Sequence, residues 1–204
     1  MTLKPYRQGQ LDGLCGVYAI INAVRLVCPE HINDAAAKDL FRELLEKIAK
    51  RREFEAVWNG MCPSILWPLM HAACHYVRWE FGTRVEVEPL HAGSSPPGLS
   101  RTWSKLQGYL DQQGTAAIIC LGGRYQHWTV ARKATARSIR LVDSGNLKLL
   151  RRAWCTTDLD HKRHRVDPET VYLVSRPTKM VTLTSLGQRA GPNATARSRR
   201  RRGA

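Results

Sequence analysis

The spacing of apolar residues changes near residue 114, and this change constrains the fold more than any other feature. Before it, apolar residues recur every three or four positions, as in the segment from Cys15 to Val27, a pattern typical of a helix with one buried face. After it come short apolar segments of strand length, at residues 115–121, 127–132, 138–142, 148–154 and 170–175. Because short connections favour antiparallel pairing, the sequence predicts an α+β fold in which a helical lobe packs on a C-terminal antiparallel sheet.

Residues 1–175 are predicted to form one domain, helical over 1–83 and built from one helix plus the sheet over 84–175. Further helices are expected from about residue 33 to 52 and from 63 to 81, where Pro68 should kink or break the chain. A short strand is expected at 84–87, and the helix of the second part at 101–113.

The 204-residue chain is strongly basic, with 32 Lys and Arg against 17 Asp and Glu and a formal charge of +15. Residues 176–204 hold eight basic residues and no acidic one, so slightly more than half of the excess lies in this terminal segment. It has too few apolar residues to fold and is predicted to be a disordered basic tail. Three roles stay open for it: binding nucleic acid or an anionic surface, targeting, or no role beyond solvation.

No apolar stretch is long enough for a signal peptide or a membrane span, which predicts a cytoplasmic protein without a transmembrane segment. The six cysteines form no CxxC pair, which indicates reduced thiols. The group Cys62, His71, Cys74 and His75 lacks the short spacing of a zinc site, so we expect no metal and no cofactor.

Cys15 differs from the other cysteines because it stands at the start of the first apolar helix. The unpaired N–H groups and the dipole of a helix N-terminus favour a thiolate, the nucleophilic form of cysteine. Gly13 and Gly16 leave room beside the sulfur for a substrate carbonyl. Gln10 lies five residues upstream, and its amide together with the Cys15 N–H would form an oxyanion hole.

A thiolate also needs a proton acceptor and a group that orients the acceptor. His127 opens a predicted strand, and Asp143 ends the next one, sixteen residues later. In an antiparallel hairpin the start of one strand lies beside the end of its partner, so these two side chains are expected to be neighbours. Asn146 is the alternative partner if that strand ends later.

The order Gln10, Cys15-Gly16, His127-Trp128 and Asp143 resembles the papain-like cysteine peptidases, and within them the C39-like branch. The resemblance covers roughly residues 6–28 and 101–147. It implies a papain-like fold, thiol-based acyl chemistry and a peptide or protein substrate, with Cys15, His127 and Asp143 as the catalytic triad and Gln10 in the oxyanion hole. The chain departs from the pattern at two places: a Gln six residues before the Cys is more usual, which leaves Gln8 as an alternative, and Ser144 stands where a Pro is common.

The sequence therefore predicts a cysteine peptidase that cleaves peptide or isopeptide bonds through a thioester. The same residues could instead deamidate Gln, transfer acyl groups or remove ubiquitin-like modifiers, and substrate and oligomeric state stay open. An exported bacterial effector also stays open, because Arg-rich C-termini resemble those of type IV secretion substrates. A hypothesis of another class is a basic, non-catalytic nucleic-acid-binding protein on the same scaffold.

Overall fold

The structure of the protein, a computed structural model, describes residues 4–9, 11–93, 96–123, 125–158 and 163–177. Helices come first and strands later, as the change of apolar spacing predicts. The helices are α1 (Cys15–Val27), α2 (Asp34–Lys50), α3 (Glu55–Asn59), α4 (Pro63–Phe81) and α5 (Leu99–Leu110). The strands are β1 (Glu86–Pro89), β2 (Thr115–Gly123), β3 (His127–Ala134), β4 (Ser138–Val142), β5 (Leu149–Arg151), β6 (Cys155–Thr156) and β7 (His164–Ser175).

The strands form one mixed sheet in the order β1-β7-β2-β3-β4-β5. Strands β2 to β5 make the predicted antiparallel meander, because each connection between them is short. Strand β7 then returns to the other side of β2, and β1 pairs with β7 at the edge of the sheet. The exception to antiparallel pairing is β6, which lies parallel to the start of β7. The architecture is therefore α+β.

Helices cover both faces of the sheet, and each face has its own apolar core. Helices α1, α2 and α4 pack on one face, where Val130 and Val142 join the apolar side of α1. Helix α5 packs on the other face through Trp103 and Leu106, which contact the cluster that includes Ile139. The two cores bury the sheet on both sides, and α1 packs directly on β3 and β2.

Several local predictions were wrong. Helix α4 runs through Pro68 without a break. The carbonyl that Pro68 leaves without its helical N–H belongs to Ser64, which is exposed. The segment expected as one strand over 148–154 is β5 followed by a 3₁₀ turn.

The charged residues around His164 are typical of a solvated loop, but His164 begins β7 and is only 1% exposed. It pairs with Gly123 at the end of β2, and the Tyr125 ring stacks on its imidazole with 5.1 Å between the ring centroids, contacts that no local pattern encodes. Of the tail predicted over 176–204, residues 178–204 lie outside the described part of the chain.

Candidate active site

Helix α1 begins at Cys15 because the preceding turn is organised by one carboxylate. The Asp12 Oδ1 atom accepts a hydrogen bond from the Leu14 N–H (3.0 Å), and its Oδ2 atom accepts one from the Gly9 N–H (3.1 Å). The first hydrogen bond of the helical ladder runs from the Tyr18 N–H to the Leu14 carbonyl (3.1 Å). The N–H groups of Cys15 and its two successors precede that bond, so they point out of the helix end without a partner in the ladder.

Two glycines bring the neighbouring loop against this turn. A Cβ atom on Gly13 would lie 2.5 Å from the backbone nitrogen of Gly60. The two backbone segments therefore lie closer together than any residue with a side chain would allow. Gly60 itself has a φ of 84°, which favours glycine. A Cβ atom on Gly16 would meet Leu66 Cδ1 at 2.7 Å and Met61 Sδ at 3.0 Å. The first turn of α1 is thus closely packed against the neighbouring loop, and Cys15 is 5% exposed.

His127 and Asp143 meet where the sequence places them, at the start of β3 and just after β4. The His127 Nε2 atom lies 2.7 Å from Asp143 Oδ1. The other carboxylate oxygen, Oδ2, accepts a hydrogen bond from the Leu147 N–H (2.8 Å), which holds the carboxyl group in the orientation that faces the ring. Asp143 is 3% exposed, whereas the side chain of His127 is 14% exposed, so the carboxylate is buried behind a ring that reaches the surface.

The Cys15 thiol donates to the Gly13 carbonyl (3.9 Å), and it also interacts with the imidazole of His127 closely enough to raise its pKa. Burial by itself would lower the pKa of His127, but hydrogen bonds and charge interactions with Asp143 and Cys15 outweigh it and raise this pKa to about 9. Burial would likewise raise the pKa of Asp143, and the hydrogen bond and charge of His127 reverse the sign and lower it. With Nε2 committed to Asp143, the remaining ring nitrogen, Nδ1, is the one left for the thiol.

Trp128 was not predicted as part of the site, yet it connects the strand that carries His127 to the helix that carries Cys15. Its buried Nε1–H donates a hydrogen bond to the Met61 carbonyl (2.7 Å), and its Cδ1 atom would lie 3.5 Å from a Cβ on Gly16. The side chain that follows His127 therefore contacts the helix that carries Cys15. The sequence signal was the aromatic residue directly after His127, whose role depends on a partner 67 positions away.

Of the two glutamines that are candidate oxyanion donors, the structure describes Gln8. Gln10 lies outside the described residues. Gln8, the alternative, donates its side-chain amide to the Asp12 carbonyl, and its backbone N–H lies 3.4 Å from the Ser144 carbonyl, next to Asp143. The Gln8 amide is therefore engaged within the turn that precedes Cys15.

Asn146, the alternative partner of His127, is exposed and accepts a hydrogen bond from the Arg7 guanidinium (3.2 Å). The carboxylate that contacts the ring is that of Asp143.

The other cysteines differ from Cys15 in their surroundings. All six lie within the described residues, and none forms a disulfide bond. Cys62 is exposed, and a hydrogen bond with Ser64 (3.0 Å) lowers the pKa of its thiol. Within the described ranges, no three His, Cys, Asp or Glu side chains come together as a group that could hold a metal ion.

Neither the models of protein families, nor the curated proteins, nor the solved structures contain a match to this chain. Across the described residues, no helix is both long enough and apolar enough to cross a membrane.

Proposed function

We propose that this protein is a papain-like cysteine peptidase that hydrolyses peptide or isopeptide bonds. The observation that carries the proposal is the part-buried contact of 2.7 Å between His127 Nε2 and Asp143 Oδ1, with Cys15 as a second group that raises the pKa of the same imidazole. A nucleophile at a helix start, a base beside it and a carboxylate behind the base are the three parts that covalent catalysis by a thiol needs. The α+β architecture, with helices packed on a sheet and the nucleophile where they meet, agrees with a papain-like fold.

The first half of the reaction forms a thioester. With a pKa of about 9, His127 is protonated at neutral pH and pairs with the thiolate of Cys15. The sulfur attacks the substrate carbonyl carbon, and the pair of electrons of the carbonyl double bond moves to its oxygen. When the tetrahedral intermediate collapses, the bond to nitrogen breaks, and the imidazolium of His127 gives its proton to the leaving amine.

The second half releases the acyl group. His127 is now neutral and takes a proton from a water molecule, whose oxygen attacks the thioester carbon. The carbon–sulfur bond breaks, the carboxylic acid leaves, and the proton on His127 restores the ion pair with Cys15. Asp143 keeps Nε2–H in place in both halves, so that Nδ1 always faces the sulfur.

Backbone groups at the start of α1 stabilise the oxyanion. The Cys15 N–H lies ahead of the first bond of the helical ladder and is oriented along the helix dipole, which favours negative charge at this end. A side-chain amide from the upstream segment, that of Gln10, is the second donor in the proposal.

The test is labelling and turnover with matched cysteine variants. A thiol-directed electrophile carrying a peptide, added in less than one equivalent at pH 7, is expected to modify Cys15 and to lower cleavage in proportion to the fraction of protein that is labelled. Cys15→Ala should lose both the label and the activity, and His127→Ala should lose the activity while the fold persists by circular dichroism. Cys62→Ala is the control, since Cys62 is the exposed cysteine outside the site; its activity should equal that of the wild type.

The products distinguish the reactions that a thioester enzyme can perform. Mass spectrometry of a lysate treated with wild-type or Cys15→Ala protein should show new peptide termini that depend on Cys15. A one-dalton conversion of Gln to Glu without new termini would replace the peptidase by a deamidase. Unchanged turnover in Cys15→Ala would overturn thiol catalysis altogether.

A further inference from the structure

The positive charge of the folded part of the chain is concentrated in one segment. Residues 132–165 hold ten Lys and Arg against three Asp and Glu, whereas residues 1–131 hold fourteen against twelve. Residues 166–175 contain two acidic residues and no basic one. The net charge of +7 that belongs to residues 1–175 therefore equals the excess of residues 132–165 alone. This charge is independent of the basic tail.

The sheet brings part of this charge to one face. Lys133 on β3 lies directly opposite Arg140 on β4, and Arg151 on β5 lies opposite Ser138, two residues from Arg140. Side chains two apart on a strand share a face, so the three cations point the same way. All three are exposed, while the alternating residues Ile139 and Leu150 are buried on the α5 side.

These cations have no acidic partner within the part of the chain that the structure describes. Among the residues that the structure describes, none of the three forms an ion pair, although basic residues on α2 do so with Asp39 and Glu46. Like charges directly opposite each other on a sheet destabilise it. The pairing of Lys133 with Arg140 therefore costs folding stability and is not explained by the fold.

An exposed aromatic residue and further guanidinium groups border the same sheet edge. Trp154 is 42% exposed, and the Arg151 and Arg163 guanidinium carbons lie 4.9 and 5.4 Å from its ring centroid. Arg152 is held by the Ser100 hydroxyl (3.0 Å) and borders a cavity of about 700 Å³ together with Arg137. A guanidinium stacked on an aromatic ring keeps its N–H edge available for a phosphate.

We propose that this surface, the basic face formed by Lys133, Arg140 and Arg151 together with Arg137, Arg152 and Trp154 at the adjoining edge of the sheet, binds the phosphate backbone of single-stranded nucleic acid. The occupant must be anionic, because the chain's own basic tail and a second copy of the face carry the same sign of charge. Exposed aromatic rings interleaved with cations on an open sheet are the combination that single-stranded nucleic acids bind, through phosphate contacts and base stacking. Leu149 and Trp154 are the large apolar side chains that are exposed beside these cations.

The test is the binding of a fluorescein-labelled U20 RNA to the full chain, measured by anisotropy across a salt series. The face variant carries Lys133→Gln, Arg140→Gln and Arg151→Gln. The control variant carries Arg42→Gln, Lys47→Gln and Lys50→Gln on exposed positions of α2, so the change in net charge is the same. We expect the face variant to bind at least about tenfold more weakly, with a salt slope smaller by about 2, because each phosphate contact to a single strand contributes about 0.7. The control should stay within about twofold of the wild type.

A stability measurement separates loss of binding from loss of folding. Since Lys133 and Arg140 repel each other, the thermal midpoint of the face variant should equal or exceed that of the wild type. An equal loss of affinity in both variants, or none in the face variant, would overturn the proposal. The proposal would also be overturned, in favour of a membrane surface, if the face variant no longer pelleted with phosphatidylserine vesicles while its RNA binding stayed unchanged.

Discussion

The indole of Trp128 donates a buried hydrogen bond of 2.7 Å to the carbonyl of Met61. Trp128 directly follows His127, and Met61 lies beside Gly16 in the first turn of α1. This hydrogen bond therefore connects β3, which carries the imidazole, to the loop that packs against the first turn of α1, which carries the thiol. The spacing of Cys15 and His127 depends on it, although neither residue takes part in the bond.

Trp128→Phe should destabilise the protein and misplace His127. The substitution keeps an aromatic ring but removes the donor, which leaves the Met61 carbonyl buried without a partner; this costs about 1–3 kcal/mol. Urea unfolding followed by far-UV circular dichroism measures the change. Trp79→Phe is the matched control, because Trp79 is 79% exposed and its substitution should change the free energy of unfolding by no more than about 0.5 kcal/mol. Equal effects in the two variants would contradict this role of Trp128.

The titration of His127 should depend on Asp143. Nuclear magnetic resonance of the histidine ring should give a pKa of about 9 in the wild type and a value lower by more than about one unit in Asp143→Asn, because the neutral amide no longer stabilises the imidazolium. Asp111→Asn, an exposed change of the same kind, should leave the titration unchanged. A His127 pKa that is the same in both variants would show that the contact with Asp143 does not control it.

The same pKa shifts set a pH window for stability. Because the folded pKa of His127 is raised from 6.5 to about 9, its stabilising contribution is complete below 6.5 and is lost as the pH rises through about 9. The lowered pKa of Asp143 has the opposite sign, so its contribution is present above 3.8 and is lost as the pH falls through the folded value. We expect the difference in unfolding free energy between wild type and Asp143→Asn to be largest near pH 6 and to shrink above pH 9, with a size on the order of 3 kcal/mol. A pH-independent difference would contradict the pair as its source.

Gly13→Ala should disturb the turn before Cys15. The new methyl group would lie 2.5 Å from the Gly60 backbone nitrogen and 3.0 Å from the Trp58 carbonyl, and backbone atoms have little freedom to move away. We expect a loss of about 1–3 kcal/mol in the free energy of unfolding. Gly108→Ala is the control: nothing lies within 4 Å of its Cβ position in α5, so it should raise stability by about 0.5–1 kcal/mol. A stabilising Gly13→Ala would show that the two loops can separate without cost.

Asp12→Ala should loosen the start of α1. The substitution leaves the N–H groups of Gly9 and Leu14 without their acceptor, and the loss of such a cap costs about 1 kcal/mol. Hydrogen exchange should speed up most at Leu14 and its neighbours. Asp12→Asn keeps one carbonyl oxygen and should recover part of the protection from exchange. Identical exchange rates in the wild type and in Asp12→Ala would show that the carboxylate does not hold the start of α1.

Local patterns predicted most elements, because each depends on neighbours a few residues away. The spacing of apolar residues indicated α1, α2 and α4, and alternating short segments indicated β2, β3 and β4. The same signals indicated the start of α1 at Cys15, the start of β3 at His127 and the end of β4 at Val142. The roles of Cys15, His127, Asp143 and Gln10 stay predictions.

Long-range contacts decided what the patterns could not encode. The return of β7 beside β2 places His164 opposite Gly123, where the ring of Tyr125 stacks on its imidazole, so it is buried within a segment rich in charge. The opposition of Lys133 and Arg140 depends on the register of two strands, which a bulge shifts by one residue. The sequence by itself determined the α+β class and the candidate nucleophile and base, because these follow from local spacing. Only the tertiary structure decided that Asp143 and not Asn146 contacts the imidazole and that Trp128 spans to Met61, because both depend on side chains that the folded chain brings together.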